Sequence, residues 1–330
     1  MRTSPRSFRV VALTLALALP LLAACGSSGS SGGSSTDTTA AGSSDSVASK
    51  MVLGGPPECP KRDYCLVGLQ NKYGLQFKQF KPLDVGGPLT VAALKNGSID
   101  MGLLFTTNGL IAANNWVLLQ DDKVLQPADN VTPVMSQELV AEYGSQFSSL
   151  VNAVTAKLTT EGLTEMNKQT DVDKKDPDDV AKQWLDDNSF KVVGRAEKQG
   201  PTITIGSADF TEDVTLAEIY AEWLRRNGYD VKTKNRIGSR EVYMPALERG
   251  EINFIPEYAG SLLGTYLDVP ATTDPGTNAR ALQQALEPKK LTALNYSKAQ
   301  DINGFVVTKE TADKYGLEKL SDLAEPAPAS

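Results

Sequence analysis

The amino-acid sequence predicts an α/β protein with two lobes that face each other across a ligand-binding cleft. Strand patterns alternate with helix patterns after residue 49, which favours sheets that are largely parallel. The same part of the chain is long enough to form a core in each of two lobes. One helix-and-strand motif also occurs twice, as expected if each lobe contains a copy.

The first 25 residues are typical of a secretory signal. Arg2, Arg6 and Arg9 precede an apolar run at 10–22, which is shorter than the roughly 20 residues that a membrane-spanning helix needs. Small residues then lead to Cys25. This stretch resembles a lipobox, so we expect a lipid on Cys25 that anchors the protein to the cell membrane on its extracytoplasmic side.

The composition of the next segment indicates a flexible tether. Residues 26–49 are almost all Ser, Gly, Thr, Asp and Ala, which bury too little apolar surface to offset the entropy lost on ordering. The net charge of the chain is −7, which argues against a nucleic-acid partner and suits an exported protein.

Residue types that would support catalysis or metal binding are scarce. The chain has no histidine, which removes the commonest general base and every Ser-His or Cys-His nucleophile pair. Cys59 and Cys65 form a close pair that outside the cytoplasm predicts a disulfide rather than a metal site. Carboxylates alone still permit catalysis, but no motif indicates it. We therefore expect neither an enzyme nor a cofactor.

Capping residues and apolar periodicity predict the individual elements. A strand is expected at 51–53, a helix from Pro88 to the Asn-Gly pair at 96–97, and a buried strand at 99–105. The segment 137–185 predicts helices, including 160–167 and 178–185. A strand at 202–206 precedes a helix with one apolar face, and a further strand starts at 229. The following residues share that face and are expected in the core: Leu216, Ile219, Tyr220, Trp223 and Leu224.

An internal similarity suggests where the cleft lies. Residues 93–105 (ALKNGSIDMGLLF) align without gaps with 246–258 (ALERGEINFIPEY). Each copy predicts a helix, a glycine cap and a strand that ends in an aromatic residue. Ligands of open α/β sheets bind at the carboxyl ends of strands, so Phe105 and Tyr258 are expected on opposite walls of the cleft. A chance match between two ordinary helix–strand units would produce the same pattern.

Three motifs resemble one known family. They are ITIGSADFTE at 203–212, IGSREVYMPALERGEINFIPEYAGS at 237–261 and LLQDDKVLQPADN at 118–130. The resemblance is to the substrate-binding proteins of ABC importers for glycine betaine, choline and carnitine. It implies a monomeric lipoprotein with a two-lobe periplasmic-binding-protein-like fold of type II, which captures a quaternary amine and delivers it to a membrane permease. The alternatives are a different small cationic or polar solute, or a surface or sensory lipoprotein that no longer transports.

The order of the motifs departs from that family and indicates a circularly permuted chain. The end of the sequence at 314–324 reads as though it should continue into residue 50. The expected division is 50–118 plus 304–330 as lobe B, 119–129 as a crossover and 130–303 as lobe A, with 188–200 as the permutation linker. A wrongly assembled gene is the alternative.

The resemblance also assigns binding residues. The family holds the quaternary ammonium group among aromatic rings, whose faces attract cations. Tyr258 and Phe105 match two of these positions, whereas Asn303 and Asp129 stand at two others.

Further candidates complete the expected site. A cation could instead be held by Asp129, Asp213 or Asp301, although such acids also cap helices or face water. Arg62 matches a residue that pairs with a ligand carboxylate, and a solvated loop arginine is the alternative. The remaining expected contacts are Ser261, Thr106, Ser207 and Phe210.

Overall fold

Two five-stranded sheets, each packed against helices, make up the part of the chain that the computed structural model describes, residues 45–84, 86–194 and 200–328. The predicted α/β class and the two-lobe, periplasmic-binding-protein-like fold are confirmed. The expected signal, Cys25 and most of the expected tether lie outside the described residues. Within the described ranges, no helix combines the length and the apolar character needed to cross a bilayer.

The first sheet belongs to the lobe that we call lobe B. Its strands are β1 (Val52–Gly55), β2 (Gln79–Pro82), β3 (Met101–Phe105), β4 (Val117–Leu119) and β10 (Asn303–Val307). They lie in the order β2-β1-β3-β10-β4. The helices of this lobe are α1 (Leu66–Tyr73), α2 (Pro88–Lys95), α3 (Gly109–Ala113) and α11 (Lys309–Tyr315).

The second sheet belongs to lobe A. Its strands are β5 (Val131–Ser136), β6 (Ile203–Gly206), β7 (Val231–Lys234), β8 (Phe254–Tyr258) and β9 (Leu291–Ala293). They lie in the order β7-β6-β8-β5-β9. The helices of this lobe are α4 (Gln137–Thr155), α5 (Thr160–Asn167), α6 (Pro177–Asp187), α7 (Thr211–Arg226), α8 (Arg240–Glu248), α9 (Ala259–Thr265) and α10 (Pro275–Leu286).

The sheets are mixed, which corrects the expectation that they are largely parallel. In each sheet, three strands pair in parallel, but one strand arrives from the other lobe and runs against its neighbours. β10 is antiparallel to β3 and β4, and β5 is antiparallel to β8 and β9. Alternating strand and helix patterns do not reveal this, because direction depends on how the chain crosses between lobes.

Local sequence signals account for most helix boundaries. α2 begins at Pro88 as predicted, and α6 begins at Pro177, where the Asp176 side chain accepts a hydrogen bond from the Asp178 N–H at 2.9 Å. The apolar face of α7 lies in the core of lobe A. Tyr220 and Trp223 are buried there, which confirms the prediction for both residues.

The two aligned motifs form equivalent units in the two lobes. In lobe B, α2 leads through Gly97 into β3, and in lobe A, α8 leads through Gly250 into β8. Both glycines adopt the left-handed conformation, with φ of 69° and 75°. A residue with a Cβ is strained there, which explains why both copies carry glycine.

The described chain begins inside the segment expected to be a tether. Val47 and Ala48 are buried, so the packed region starts before residue 50. The Val47 N–H donates to the Glu325 carbonyl at 2.9 Å, and the Ala327 N–H donates to the Asp45 carbonyl at 2.8 Å. The beginning and the end of the described chain are therefore hydrogen-bonded neighbours.

Candidate functional site

Two antiparallel segments connect the lobes. Residues 120–130 run from β4 to β5, and residues 294–302 run from β9 to β10. Asn130 and Gln300 form an antiparallel bridge, and the Asp301 N–H donates to the Asp129 carbonyl at 3.4 Å. Asp129 and Asp301 therefore lie side by side where the chain passes between the lobes.

Two cavities meet next to this crossover. The smaller, which we call the hinge cavity, has a volume of about 220 Å³, and the larger, the side cavity, has about 450 Å³. Phe105, at the carboxyl end of β3, and Asp301 line both of them. This position at the end of a strand is where ligands of α/β sheets bind.

The two cavities bring together most of the residues expected at the site. Phe105, Asp129, Ser261, Asp301 and Asn303 line the hinge cavity. Phe210 lines the side cavity. A cavity of about 650 Å³ is also present in lobe A, but no expected site residue lines it. We place the candidate site at the crossover, because side chains of both lobes converge there.

Asp129 is buried beside the hinge cavity. Its carboxylate accepts hydrogen bonds from Ser261, at 2.8 Å from the N–H and at 2.5 Å from the hydroxyl. Burial raises the pKa of Asp129 to about 6, and the nearby Glu257 carboxylate contributes in the same direction. A cation placed next to Asp129 would therefore favour the ionised form of its carboxyl group.

The carboxyl groups of the half-buried Asp301 and the buried Glu212 interact with each other. The Thr107 hydroxyl donates to Asp301 at 2.9 Å. Glu212, in the first turn of α7, accepts hydrogen bonds from the Tyr258 hydroxyl and from the Asn167 amide. Burial raises the pKa of both carboxyl groups, and the charge of Glu212 adds to the shift at Asp301. Sequence reasoning missed Glu212, although it lies in one of the motifs that carry the family resemblance.

Asp213 is buried but lines neither cavity. One carboxylate oxygen accepts the Ala208 N–H at 2.5 Å, while the other has no hydrogen-bond partner among the described residues. Burial raises the pKa of Asp213 well above its usual value. Its position in the first turn of α7 also places it at the positive end of the helix dipole.

The arginines near these acids already have partners. Arg240 donates to both carboxylate oxygens of Glu257, from Nε at 2.8 Å and from Nη2 at 3.0 Å. Arg236, on the side cavity, pairs with Asp209 at 3.4 Å. Neither guanidinium neutralises Asp129 or Asp301 by direct contact in the described structure.

The aromatic side chains are arranged differently from the expected pair of opposing rings. Phe105 exposes 42% of its surface and Phe210 exposes 41%. Tyr258 is buried, lines neither cavity and packs against Phe210 with ring centroids 6.0 Å apart. Phe210 therefore presents the ring on the lobe A side, and the Tyr258 hydroxyl is directed to Glu212.

Tyr64 is an aromatic lining residue that sequence reasoning missed. It precedes Cys65, which forms a disulfide with Cys59, and Tyr64 lines the hinge cavity. The Gln126 amide donates to the Tyr64 carbonyl at 2.8 Å and so ties this loop to the crossover. Its place between the two cysteines of the predicted disulfide is the feature of the sequence that could have indicated this residue.

Three other expected residues line neither cavity. Arg62 has a side chain that is 60% exposed and pairs with Glu58 at 3.1 Å. Thr106 is buried and its hydroxyl donates to the Gln300 carbonyl at 3.0 Å. The Ser207 hydroxyl accepts the Arg236 N–H at 2.9 Å. Of these three, Thr106 and Ser207 stabilise the backbone around the site.

No group of three or more metal-ligating side chains suited to an ion occurs in the described ranges. The carboxylates at the crossover accept hydrogen bonds from hydroxyl groups, as those of Ser261 and Thr107 show.

A family model matches most of the chain. It describes the substrate-binding domain of an ABC-type glycine betaine transport system, and it matches residues 40–187 and 201–330. The family consists of transport substrate-binding proteins and not of enzymes.

Curated relatives match a shorter part of the chain. The carnitine transport binding protein OpuCC of Listeria monocytogenes is 30% identical over 118 residues, 36% of this chain and 37% of that protein. A glycine-betaine-binding protein of Pseudomonas aeruginosa is 31% identical over 126 residues, 38% of this chain and 40% of that protein. The chain thus spans well under half the length of these relatives.

Solved structures with some likeness include two binding proteins. A phosphate-binding protein of a phosphate ABC transporter from Streptococcus pneumoniae is 12% identical, with a TM-score of 0.38, over 83% of this chain and 94% of that chain. Apo YehZ from Escherichia coli is 14% identical, with a TM-score of 0.36, over 84% and 85%.

Proposed function

Because this chain belongs to the family of substrate-binding domains of ABC-type glycine betaine transport systems, we propose that it captures a quaternary amine and delivers it to a membrane importer. The binding site is the hinge cavity with the adjoining side cavity. The observation that carries the proposal is the exposed ring of Phe105 beside the carboxylates of Asp129 and Asp301.

The chemistry of this site suits a quaternary ammonium group. Such a group donates no hydrogen bonds, so it is recognised by aromatic faces and by charge. Each ring contact contributes roughly 0.5 to 2 kcal/mol, depending on desolvation. Phe105 supplies a ring on the lobe B side, where Tyr64 also lines the cavity, and Phe210 supplies one on the lobe A side. Asp129 and Asp301 supply carboxyl groups, whose ionised form a bound cation favours.

Capture works by closing the two lobes over the solute. The crossover segments act as the hinge, and a ligand shifts the equilibrium towards closure only if it binds the closed form more tightly. A ligand between Phe105 and Ser261 would touch both lobes at once. The closed form then docks on the permease of an ABC importer.

The proposal includes the site of action and the order of the chain. The protein acts as a monomer outside the cytoplasm, held by a lipid on Cys25. The chain is a circular permutation of its family, with lobe B built from 50–118 and 304–330. The hydrogen bonds between Val47 and Glu325, and between Ala327 and Asp45, support that arrangement.

Titration calorimetry with choline, glycine betaine and carnitine tests the function. We expect at least one of the three to bind with a Kd near the micromolar range, about −8 kcal/mol. Phe105→Ala should weaken that binding roughly 3- to 30-fold, because the cation loses an aromatic face. Tyr296→Ala is the matched control, since Tyr296 has a similar exposure of 41% but lines neither cavity. Absence of binding by all three solutes would refute the function.

A further inference from the structure

Resting on the proposed function, we infer that the site selects organic cations without a carboxylate over zwitterionic solutes of the same size. A choline-like or alkylammonium ligand would bind, and a betaine-like ligand would be discriminated against. The inference depends on which charges and which hydrogen-bonding groups remain available around the two cavities.

Acidic residues dominate the lining of the two cavities. The carboxylates of Asp129 and Asp301 line the hinge cavity. The side cavity adds the carboxylates of Asp171, Asp209 and Glu212. Asp129 and Glu212 are more than nine-tenths buried, so water screens poorly any charge that these carboxyl groups carry.

The described lining of the hinge cavity contains no lysine or arginine. No side chain there could therefore form an ion pair with a ligand carboxylate. The side cavity has Arg236, but Asp209 already pairs with it. Arg62, the residue that the family resemblance assigns to a ligand carboxylate, pairs with Glu58 and lines neither cavity.

Several hydrogen-bond donors near the cavities are also committed to the protein. Ser261 donates both its N–H and its hydroxyl to Asp129. The Thr107 hydroxyl donates to Asp301, and the Asn167 amide donates to the Thr107 carbonyl at 2.8 Å and to Glu212. By contrast, the side-chain oxygen of Asn167, which is 95% buried on the side cavity, has no partner in the described structure.

The ionisable side chains that line the hinge cavity are therefore all acidic, and the unpartnered oxygen of Asn167 adds an acceptor on the side cavity. A ligand hydroxyl, amide or ammonium group finds oxygen atoms to which it can donate. A ligand carboxylate instead meets carboxylates at short range, and like charges brought together in a desolvated site are strongly unfavourable. The charged end and the uncharged end of a choline-like cation both fit this arrangement.

A pair of ligands that differ in one charge tests the inference. Glycine betaine and its carboxamide have the same skeleton, but only the former carries a carboxylate. We expect titration calorimetry on the purified protein at pH 8 to show the carboxamide binding at least about tenfold more tightly. Choline should likewise bind more tightly than its neutral isostere 3,3-dimethylbutan-1-ol. Equal or tighter binding of glycine betaine overturns the inference and leaves the proposed function standing, whereas no binding of any quaternary amine refutes both.

Two isosteric variants identify the charges responsible. Asp301→Asn and Asp129→Asn should each reduce the ratio of carboxamide to betaine affinity, while the exposed Glu310→Gln should leave that ratio unchanged. Thermal unfolding shows which of the two site variants is folded, and either one is sufficient for the comparison. An unchanged ratio in the folded variants would show that the carboxylates do not set the selectivity.

Discussion

Asp129 shows how one residue changes the character of the site. It occupies a position where the family resemblance leads one to expect an aromatic ring, and its buried carboxylate accepts two hydrogen bonds from Ser261. Those bonds orient the carboxylate without neutralising it. An acid in place of a ring replaces attraction by an aromatic face with attraction by a full negative charge.

Because the pKa of Asp129 is raised in the native state, we expect its contribution to the stability of the ligand-free protein to fall as pH rises. The native state holds this proton up to about pH 6, whereas the unfolded chain releases it near pH 4. Between these values the native state binds more protons, so the contribution of Asp129 to the free energy of unfolding falls by up to about 3 kcal/mol. Denaturant unfolding from pH 4 to 8 measures this, with Asp129→Asn as the reference. A difference between the two proteins that does not change with pH would contradict the prediction.

Cation binding should have the opposite pH dependence. A ligand cation favours the ionised carboxylate, so its affinity should rise as pH increases through about 6. The charged or titratable groups near Asp129 are Glu257, Arg240 and Asp301. Arg240 remains charged throughout this range, and burial raises the pKa of Asp301 to about 8, above the range. We expect the rise in Tm that choline produces to be larger at pH 7.5 than at pH 5, and Asp129→Asn to flatten this dependence.

Among the helices, α3 provides a contact between the lobes. Three residues before α3, the Thr106 carbonyl accepts a hydrogen bond at 3.2 Å from the hydroxyl of Thr164, on α5 of the other lobe. A Cβ at Gly109, the first residue of α3, would lie only 2.4 Å from the backbone nitrogen of Lys168. Glycine is therefore required for this close approach, and not for an unusual backbone conformation.

Gly109→Ala should push α3 away from lobe A. Overpacking against a backbone atom typically costs about 1–3 kcal/mol, so we expect a lower Tm and weaker ligand binding. Gly264→Ala is the control, since Gly264 is also helical and its Cβ would meet nothing within 4 Å. The control should gain roughly 0.5–1 kcal/mol from helix propensity. Scanning fluorimetry and calorimetry on both variants make the test, and equal stability of the two would contradict it.

Across the molecule as a whole, the two ends of the described chain are adjacent. Ser46 and Pro326 form a bridge, and hydrogen bonds join the flanking residues on both sides. Because these ends lie together in lobe B, a covalent link between them would add little strain. The chain can then be opened elsewhere without loss of either sheet.

A rearranged chain tests the proposed permutation. It would start at residue 200, run to 328, continue through a short linker into 45 and end at 194. We expect this protein to retain the Tm within a few degrees and the same Kd, because the contacts within both lobes are preserved and closing a short linker costs little entropy. Failure of this chain to fold, with the original order remaining stable, would count against a permuted origin.

Local signals in the sequence were sufficient to predict several elements. The start of α2 at Pro88, the left-handed glycines at 97 and 250, and the buried face of α7 follow from neighbouring residues and their spacing. Such features involve contacts a few residues apart, so their physical cause is visible in the sequence.

Which residues line the two cavities depends instead on the tertiary structure. Tyr258 has the position expected of a ring in the cleft, yet its hydroxyl turns to the buried Glu212, while Tyr64 lines the cavity from a distant loop. The guanidinium of Arg62 forms an ion pair with Glu58. These outcomes depend on competition for burial and hydrogen bonds among residues far apart in the chain, which no local pattern records.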